Sequence, residues 1–364
     1  MRRRYFLAMA AGPRFVQRAA MAQQASKGPA AWVAIQNVCA WPKMERLPDG
    51  SLVAVIFNQP AHGRWEGDLD CWHSNDEGRT WRFRARVAQH EPTLVRMNCA
   101  LGTAGNGDLV ALCGGWDRRL PVWQPSDLSR SKPLRPVISK SSDGGKTWKI
   151  VGVFPEPDPT GIGKDNQYLP FGQIQQAADG SLCAAVYLVR DKQRQAFLFR
   201  SKDNGQTWNS GTVLNPRGNE TALLHLGNGR WMAASREFQS GPDVHLEQLI
   251  SSDDASTWTR SQPLSLPGQI PGHLLRLKDR RILLTYGNRN WNNYGVDARL
   301  SGDEGATWGP PLRIANAPYS DCGYPSCVQL PGGDILTAYY TKLSDDYHYE
   351  MRIARWNPDA AASS

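Results

Sequence analysis

One octapeptide returns along this chain: Ser-x-Asp-x-Gly-x-Thr-Trp. It reads "SNDEGRTW" at Ser74–Trp81, "SSDGGKTW" at Ser141–Trp148, "SKDNGQTW" at Ser201–Trp208, "SSDDASTW" at Ser251–Trp258 and "SGDEGATW" at Ser301–Trp308. The last three copies lie about 50 residues apart, the scale of a repeated supersecondary unit. The string has the chemistry of a turn. Its Asp can accept hydrogen bonds from backbone N–H groups just ahead of it. Its Gly supplies a positive φ. Its Thr and Trp open a strand, and Trp adds a large apolar wedge. Repetition argues against catalysis, because an enzyme needs one such site and not five. These Asp and Trp residues therefore read as structural. The fourth copy carries Ala255 in place of Gly. A left-handed Ala costs about 1 kcal/mol, so this turn is expected to be distorted.

A second pattern precedes the turns: "MERLPDGSLVAVIF", "LGTAGNGDLVALCG", "IQQAADGSLCAAVY", "LLHLGNGRWMAASR", "LLRLKDRRILLTYG" and "CVQLPGGDILTAYY". Each is a strand, a tight turn and a second strand. The turn glycines are Gly50, Gly107, Gly180, Gly229 and Gly333, with Arg280 at the fifth equivalent position. The first five hairpins each lead to an octapeptide, and the sixth ends in "YEMRIARW". Hairpin, loop, third strand, turn and fourth strand make a four-stranded antiparallel unit. The expected fold is all-β: a six-bladed β-propeller with Asp-box turns. The sixth unit has no turn string, so its outer strand is expected from Ala31–Val38.

Composition sets outer bounds. No apolar run is long enough to span a membrane. The net charge of +8 is concentrated at the start, where Arg2, Arg3, Arg4, Arg14, Arg18 and Lys27 supply six positive charges. The remainder is close to neutral and gives no footprint for nucleic acid. "MRRRYFLAMAAG" has a basic region, then apolar residues, and resembles a twin-arginine signal. Residues 1–30 are therefore expected to be an export signal or a disordered tail, with the propeller over 31–358 and a periplasmic or extracellular location. The seven cysteines include no C-x-x-C pair. They read as buried thiols, and neither a metal nor a cofactor is expected. The oligomeric state is not legible.

Blade geometry sorts the loops. The Asp strings and hairpin turns share one face. The starts of the first strands and the second-to-third-strand loops share the other, and a binding mouth belongs there. That mouth collects Trp41, Asn98, Phe171, Glu220, Pro271 and Tyr324 from strand starts. It also collects Trp116, Tyr187, Arg236, Arg289 and Tyr340 from strand ends. The loop "NQPAHGRWEGDLD" adds His62, Glu66 and Asp68. The basic run from Trp116 to Pro136 reads as a loop that could clasp an anionic glycan or simply be solvated. Aromatic faces suit sugar rings and guanidinium forks suit carboxylates. His225 and His273 alternate with apolar neighbours and read as packing residues.

Over Ala31–Trp356 these features resemble the sialidase (neuraminidase) superfamily. "ETALLHLGNGRWMAASR" matches a family spacing from Glu220 to Arg236, and "YPSCVQLPGG" matches the strand that opens on Tyr324. The resemblance implies a retaining exo-glycosidase on a terminal acidic or deoxy sugar of a glycan. Tyr324 would be the nucleophile, Glu220 its base, and Asp68, or Glu66 beside it, the acid/base. A phenol needs such a base because its ordinary pKa is near 10. Arg236 and Arg289 would be substrate contacts, with His62, Glu66, Trp41, Trp116 and Asn98 around them.

Two departures stand out. The family's first strand opens with an Arg that grips the substrate carboxylate, where this chain has Ala40 in "AWP". The Glu that steadies that Arg is replaced by Tyr340. A lost bidentate contact is worth about 2–3 kcal/mol. Two alternatives therefore stand beside the hydrolase: a polysaccharide lyase or other glycosidase using His62 and Tyr324 with Arg236, and a non-catalytic glycan-binding propeller.

Overall fold

The computed structural model describes residues 29–117, 131–157, 167–190, 193–209, 211–238, 243–344 and 347–362. Of the expected signal or tail over 1–30, residues 1–28 lie outside the described residues, as does most of the basic run after Trp116, while Ala30 already belongs to the first strand.

The chain is almost entirely strand. After β1 (Ala30–Gln36) it lays down β2 (Cys39–Arg46), β3 (Leu52–Phe57), β4 (Leu69–Ser74) and β5 (Arg82–Ala88) as one antiparallel sheet in chain order. The pattern repeats with β6 (Leu94–Thr103), β7 (Leu109–Asp117), β8 (Pro133–Ser141) and β9 (Lys149–Val153), then β10 (Leu169–Gln176), β11 (Leu182–Arg190), β12 (Gln193–Ser201) and β13 (Thr212–Asn215). These two groups join into one sheet by a short parallel pairing of β6 with β10, where Gly172 faces Ala100. Next come β14 (Gly218–Gly227), β15 (Arg230–Phe238), β16 (Val244–Ser251) and β17 (Thr259–Pro263), then β18 (Gln269–Arg276), β19 (Ile282–Asn288), β20 (Gly295–Ser301) and β21 (Leu312–Asn316). The last sheet holds β22 (Cys322–Gln329), β23 (Ile335–Lys342) and β24 (Tyr349–Trp356), with β1 antiparallel on the outer side of β24. The expected clasp therefore spans Ala30–Gln36.

Burial follows position within each group. Second strands are covered on both faces, and "LVAVIF" in β3 and "ILLTYGN" in β19 are wholly buried. This is why they read as unbroken apolar runs and not as alternation. Outer strands such as β9 and β17 are largely exposed.

Between successive groups lie separate apolar cores. Val53, Val55 and Cys71 pack with Cys99, Leu101 and Leu109, and Ala222, Leu224 and Met232 pack with Leu274, Ile282 and Leu284. The last group packs back on the first, with Leu336, Met351 and Ile353 against Met44, Leu52 and Ile56. The first strands contact in succession, β2 with β6, β10 with β14, β14 with β18 and β18 with β22, and β22 meets β2.

The recurring octapeptides fold alike. In the third copy the Ser201 hydroxyl donates to Asp203 at 2.7 Å and accepts the Gly205 N–H at 2.9 Å. The Thr207 N–H and hydroxyl donate to the two oxygens of Asp203 at 2.9 and 2.5 Å. The same donors in the second and fifth copies hold Asp143 and Asp303 down to about 2, first by the Thr hydroxyl and then by its N–H. The expected distortion at Ala255 does not occur. Its N–H reaches Ser251 at 3.0 Å and Thr257 binds Asp253 at 2.9 and 2.6 Å, with Ala255 simply adopting φ 61°. The reason is burial: its methyl is 1% exposed and packs in the core with Trp231 and Cys183, offsetting the left-handed cost. Arg280 likewise adopts φ 76° at the fifth hairpin turn. All seven cysteines are buried free thiols.

This offset predicts contrasting substitutions. Ala255→Gly relieves the backbone but removes a buried methyl worth about 0.8 kcal/mol, so stability should move by less than about 1 kcal/mol. Gly205→Ala should cost about 2–4 kcal/mol, combining a left-handed Cβ with overpacking, because the added Cβ would lie 2.6 Å from Val110. Urea denaturation midpoints of the two variants test both.

Candidate functional site

The pocket begins with an irregularity common to all six first strands. Each loses register with its second strand at one level. On β22, Tyr324 and Pro325 lie against the single residue Tyr339. On β14, Asn219 and Glu220 lie against Arg236 alone. On β2, Ala40, Trp41 and Pro42 lie against Ile56. A bulge of this kind bends a strand and re-aims its side chains. Three buried non-glycine residues accept left-handed backbone here: Ala40 (φ 53°), Trp41 (φ 59°) and Tyr324 (φ 48°). Such conformations cluster where the surrounding packing over-determines them.

The surrounding packing is one apolar cluster. Trp41, Phe57, Met97, Phe171, Tyr187, Tyr324, Tyr340 and Tyr349 belong to it, with Trp116 at its edge. The Tyr324 ring lies 5.2 Å from Trp41, 5.9 Å from Phe171 and 5.7 Å from Tyr340.

At its centre the Tyr324 hydroxyl donates to Glu220 Oε1 at 2.5 Å. Arg236 Nη1 binds Glu220 Oε2 at 2.6 Å and reaches the Tyr324 oxygen at 3.5 Å. Burial, reinforced by the Glu220 carboxylate, pushes the phenol well above its ordinary range. Tyr324 is thus neutral at rest, with its proton aimed at Glu220. Burial pulls the Arg236 guanidinium down, but Glu220 and Tyr324 outweigh it and leave the group firmly charged.

Arg289 forms the second cationic wall. Its Nε and Nη2 donate to the Cys322 carbonyl at 3.2 and 3.1 Å, and Nη2 also donates to the Tyr340 hydroxyl at 2.9 Å. Its guanidinium carbon lies 5.4 Å from the Tyr324 ring centroid. Asp321 completes this wall. It accepts hydrogen bonds from the hydroxyls of Tyr340 and Tyr349, the latter at 2.6 Å, and pairs with Arg289 at 3.7 Å. Burial raises the Asp321 carboxyl, yet His62 and Arg289 outweigh burial and hold it low. His62 packs edge-on to Trp41 at 5.1 Å and meets the fields of Asp321, Arg289 and Glu220. Its imidazole is held below the ordinary value by burial. Trp116 Nε1 donates to Asn98 at 2.9 Å, and the Tyr187 phenol, pushed up by burial, senses Glu220 and Arg236.

Glu220, Arg236, Tyr324, Arg289, Trp41 and His62 are therefore brought together, with Asn98 and Trp116 beside them. Asp68 and Glu66 are not. Asp68 is 3% exposed, and Arg86 Nη1 binds its Oδ2 at 2.6 Å. His90 reaches its Oδ1 through the backbone N–H at 2.7 Å and through Nδ1 at 2.6 Å. Glu66 accepts the Thr93 N–H at 3.0 Å and lies 3.5 Å from His90. Both carboxylates anchor the loop to the β5–β6 connection. His273 takes the packing role expected for it, accepting the Cys327 N–H at 3.1 Å. His225 likewise stacks on Trp231 at 4.6 Å.

The residues overlooked in sequence are Asp321, Tyr349, Arg194 and Lys43. Asp321 sits three positions before Tyr324, a spacing that is the one signal of it in the sequence. Arg194 meets Tyr187, Glu220 and Arg236 electrostatically. Lys43, inside an otherwise apolar strand, is 3% exposed with its ammonium 4.3 Å from the Phe171 ring centroid. Among the described residues it makes no hydrogen bond or ion pair. Among those residues too, no group of three His, Cys, Asp or Glu side chains is arranged to hold a metal.

Mostly four-stranded antiparallel sheets with Asp-box turns, gathering this pocket, define a class of repeat protein. The chain belongs to the sialidase/BNR-repeat superfamily: the BNR repeat-like domain family matches residues 122–336. It is 23% identical to a sialidase of Paraclostridium sordellii over 246 residues, 61% of this chain, and spans 57% of that relative's length. Among solved structures it is similar to a Dyadobacter fermentans protein of unknown function (TM-score 0.75, 22% identity, 90% of this chain and 98% of that one). It is also similar to the Hadza microbial sialidase Hz136 (TM-score 0.68, 17% identity, 90% and 66%). At these identities the structural likeness is one of fold.

Lys43 yields a stability prediction. Burial lowers its ammonium to about 8, against the opposing pull of Cys99 and Glu220. The folded value lies below the unfolded one near 10.4, so the unfolded chain binds more protons between them and stability rises with pH across that window. The buried charge costs about 3 kcal/mol at neutral pH. Lys43→Met should therefore be more stable than the parent by roughly 2–3 kcal/mol at pH 7. The difference should shrink as pH climbs from 8 to 10, as read by denaturation at each pH.

Proposed function

We propose that residues 31–358 form a six-bladed β-propeller carrying a sialidase-like, retaining exo-glycosidase that acts on a terminal acidic or deoxy sugar of a glycan. The cyclic succession of inter-sheet cores and of first-strand contacts supports the propeller reading. The superfamily membership and the sialidase relative support the chemistry. The observation that carries it is the 2.5 Å hydrogen bond from Tyr324 to Glu220 with Arg236 on the other carboxylate oxygen.

In this reading the Tyr324 oxygen attacks the anomeric carbon as its proton passes to Glu220, and the bond to the leaving oxygen breaks. Water then attacks the anomeric carbon, the bond to the Tyr324 oxygen breaks as Glu220 returns its proton to that oxygen, and the proton lost by water passes to the group that had protonated the leaving oxygen. A neutral phenol suits an anomeric carbon beside a negative group, where a carboxylate nucleophile would be repelled. Arg236 and Arg289 stabilise an anionic substituent. The leaving oxygen needs a proton from the first-blade loop. The acid expected there is Asp68, or Glu66 beside it; with both engaged by Arg86, His90 and Thr93, His62 of the same loop takes that role, since it lies in the fields of Glu220 and Asp321.

A second reading uses the same residues as a uronate lyase. Burial favours the neutral imidazole of His62, the form a base requires. His62 would take the proton beside the uronate carboxylate, the electron pair would form a carbon–carbon double bond, and Tyr324 would protonate the departing oxygen. The readings differ in sign with pH. Hydrolysis needs protonated His62 and fades as pH rises through the lowered value, whereas elimination gains there.

Turnover should be sought on terminal sialosides, rhamnosides and uronic-acid polysaccharides, with absorbance of an unsaturated uronate separating lyase from hydrolase. Tyr324→Phe should abolish turnover and Glu220→Gln should lower it by about 10²–10⁴-fold. If both variants match the parent on every substrate it turns over, the pocket is not catalytic. Binding of glycans without any turnover would instead indicate a carbohydrate-recognition propeller.

A further inference from the structure

Two of the buried thiols face one another across the β6–β7 hairpin, a contact that the pocket chemistry does not use. Cys99 of β6 lies directly opposite Cys113 of β7. Both belong to the core between the first and second groups, so their side chains leave the same face of the sheet. The two thiols are in hydrogen-bond contact with each other.

Register decides what such a pair can do. The hairpin closes with the Ala104 N–H donating to the Asp108 carbonyl at 2.8 Å. From there, hydrogen-bonded and non-hydrogen-bonded pairs alternate along an antiparallel ladder. The pairing runs unbroken from Thr103 opposite Leu109 back to Cys99 opposite Cys113. An odd number of steps separates Cys99 from Ala104, so the two cysteines occupy a non-hydrogen-bonded pair. Opposed Cα atoms stand about 4.5 Å apart at such a pair, the closer of the ladder's two spacings, and disulfides span roughly 4.4–6.8 Å between Cα atoms. The strands therefore already stand at a bridging distance.

The other thiols are placed differently. Cys71 shares this core but hydrogen-bonds Trp148, and its sulfur lies 3.0 Å from where a Cβ on Gly145 would be, so it is turned toward the second octapeptide. Cys39, Cys183 and Cys327 lie in other cores. Cys322 points at the Asn288 and Gly295 carbonyls, at 3.8 and 3.7 Å.

Burial sets when the pair can react. Cys99 is 2% exposed and Cys113 0%. Burial first, and then the adjacent Cys99 thiol, push the Cys113 thiol well above its ordinary range. The thiolate is the nucleophile in disulfide chemistry, so the finished core is inert. The pair is open to an oxidant while β6 and β7 have paired but Val53 and Val55 of the first group do not yet cover them.

We propose that Cys99 and Cys113 are a disulfide-forming pair, oxidised during folding by a small-molecule disulfide and sealed when the core between the first two groups closes over them. One thiolate attacks the oxidant, forms a mixed disulfide and releases one small thiolate. The second thiolate attacks the chain sulfur of that mixed disulfide, forms the Cys99–Cys113 bond and expels the other small thiolate. Two electrons pass from the chain to the oxidant, and the two protons given up by the cysteines leave on the small thiols. An oxidising compartment supplies such an oxidant. The bond closes a 15-residue loop and ties the hairpin whose Asn98 and Trp116 meet at 2.9 Å beside the pocket.

The full chain is refolded from denaturant with a mixture of oxidised and reduced glutathione, and in parallel with dithiothreitol. Peptide mapping without reduction should find Cys99 linked to Cys113 in the first sample, with the thiol count in denaturant two below the seven of the reduced chain. Its unfolding equilibrium, read from urea midpoints, should favour the folded state about a hundredfold more than in the reduced sample, the factor expected for a loop of this length. Cys99→Ala and Cys113→Ala should each show no such difference between the two conditions. The folded, reduced parent exposed to the same oxidant should keep all seven thiols. A full thiol count after oxidative refolding to the native circular dichroism overturns the proposal, as does a bond from either residue to Cys71. Rapid oxidation of the folded, reduced parent overturns the sealing. Where refolding from denaturant fails, the chain produced in a bacterial periplasm is mapped in the same way, and the presence or absence of the Cys99–Cys113 bond decides.

Discussion

The loss of register on every first strand is the constraint from which the rest follows. Six regular strands packed side by side would send alternate side chains into neighbouring sheets, where the cores lie. The extra residues at one level turn Trp41, Glu220 and Tyr324 out of that alternation and toward a common space. The left-handed backbone at Ala40, Trp41 and Tyr324 costs on the order of 1–2 kcal/mol per residue. The aromatic cluster beneath them offsets it, since burying such rings contributes a comparable amount each. Remove the irregularity and Glu220 would no longer share a hydrogen bond with Tyr324.

Charge inside the pocket is arranged with similar economy. Arg236 is balanced by Glu220, and Arg289 by Asp321 with help from two phenols. Ala40 and Tyr340 form a matched change: a carboxylate at position 340 would have no Arg at position 40 to meet, and an unpaired buried charge costs several kcal/mol. Tyr340 instead bridges Arg289 and Asp321 as acceptor and donor. Lys43 does not follow this economy. It lies under Phe171, which edges Tyr324, and its ammonium, opposed only by the more distant pull of Glu220 and Cys99, adds positive potential beneath the pocket.

Repetition made the architecture legible. Five turn strings and six hairpins carry their own spacing, so the four-stranded groups are readable in the sequence itself. The Glu220–Arg236–Tyr324 grouping was legible through its resemblance to a family spacing. Asp68 was not, because the partners that disarm it, Arg86 and His90, sit on a neighbouring strand and beyond it. Position in a loop says nothing of what an adjacent strand presents. Ala255 misled for a related reason: backbone cost is visible in sequence, whereas the burial that offsets it is not. Lys43 was missed because a charged residue in a strand normally signals a solvated face, and Asp321 because it lies in the β21–β22 connection, where a charged residue normally signals a solvated loop.

The pairing of β1 with β24 has a bearing on biogenesis. The earliest described strand finds its partner only in the last, Ala31 facing Ala354 across almost the whole polypeptide. Until Tyr349–Trp356 emerges from the ribosome, β1 has no partner strand and the last group cannot complete its core against the first. A nascent chain therefore holds an incomplete sheet system throughout synthesis. Closing so long a loop is entropically slow, and any factor that shields β1 would act before the final strand arrives.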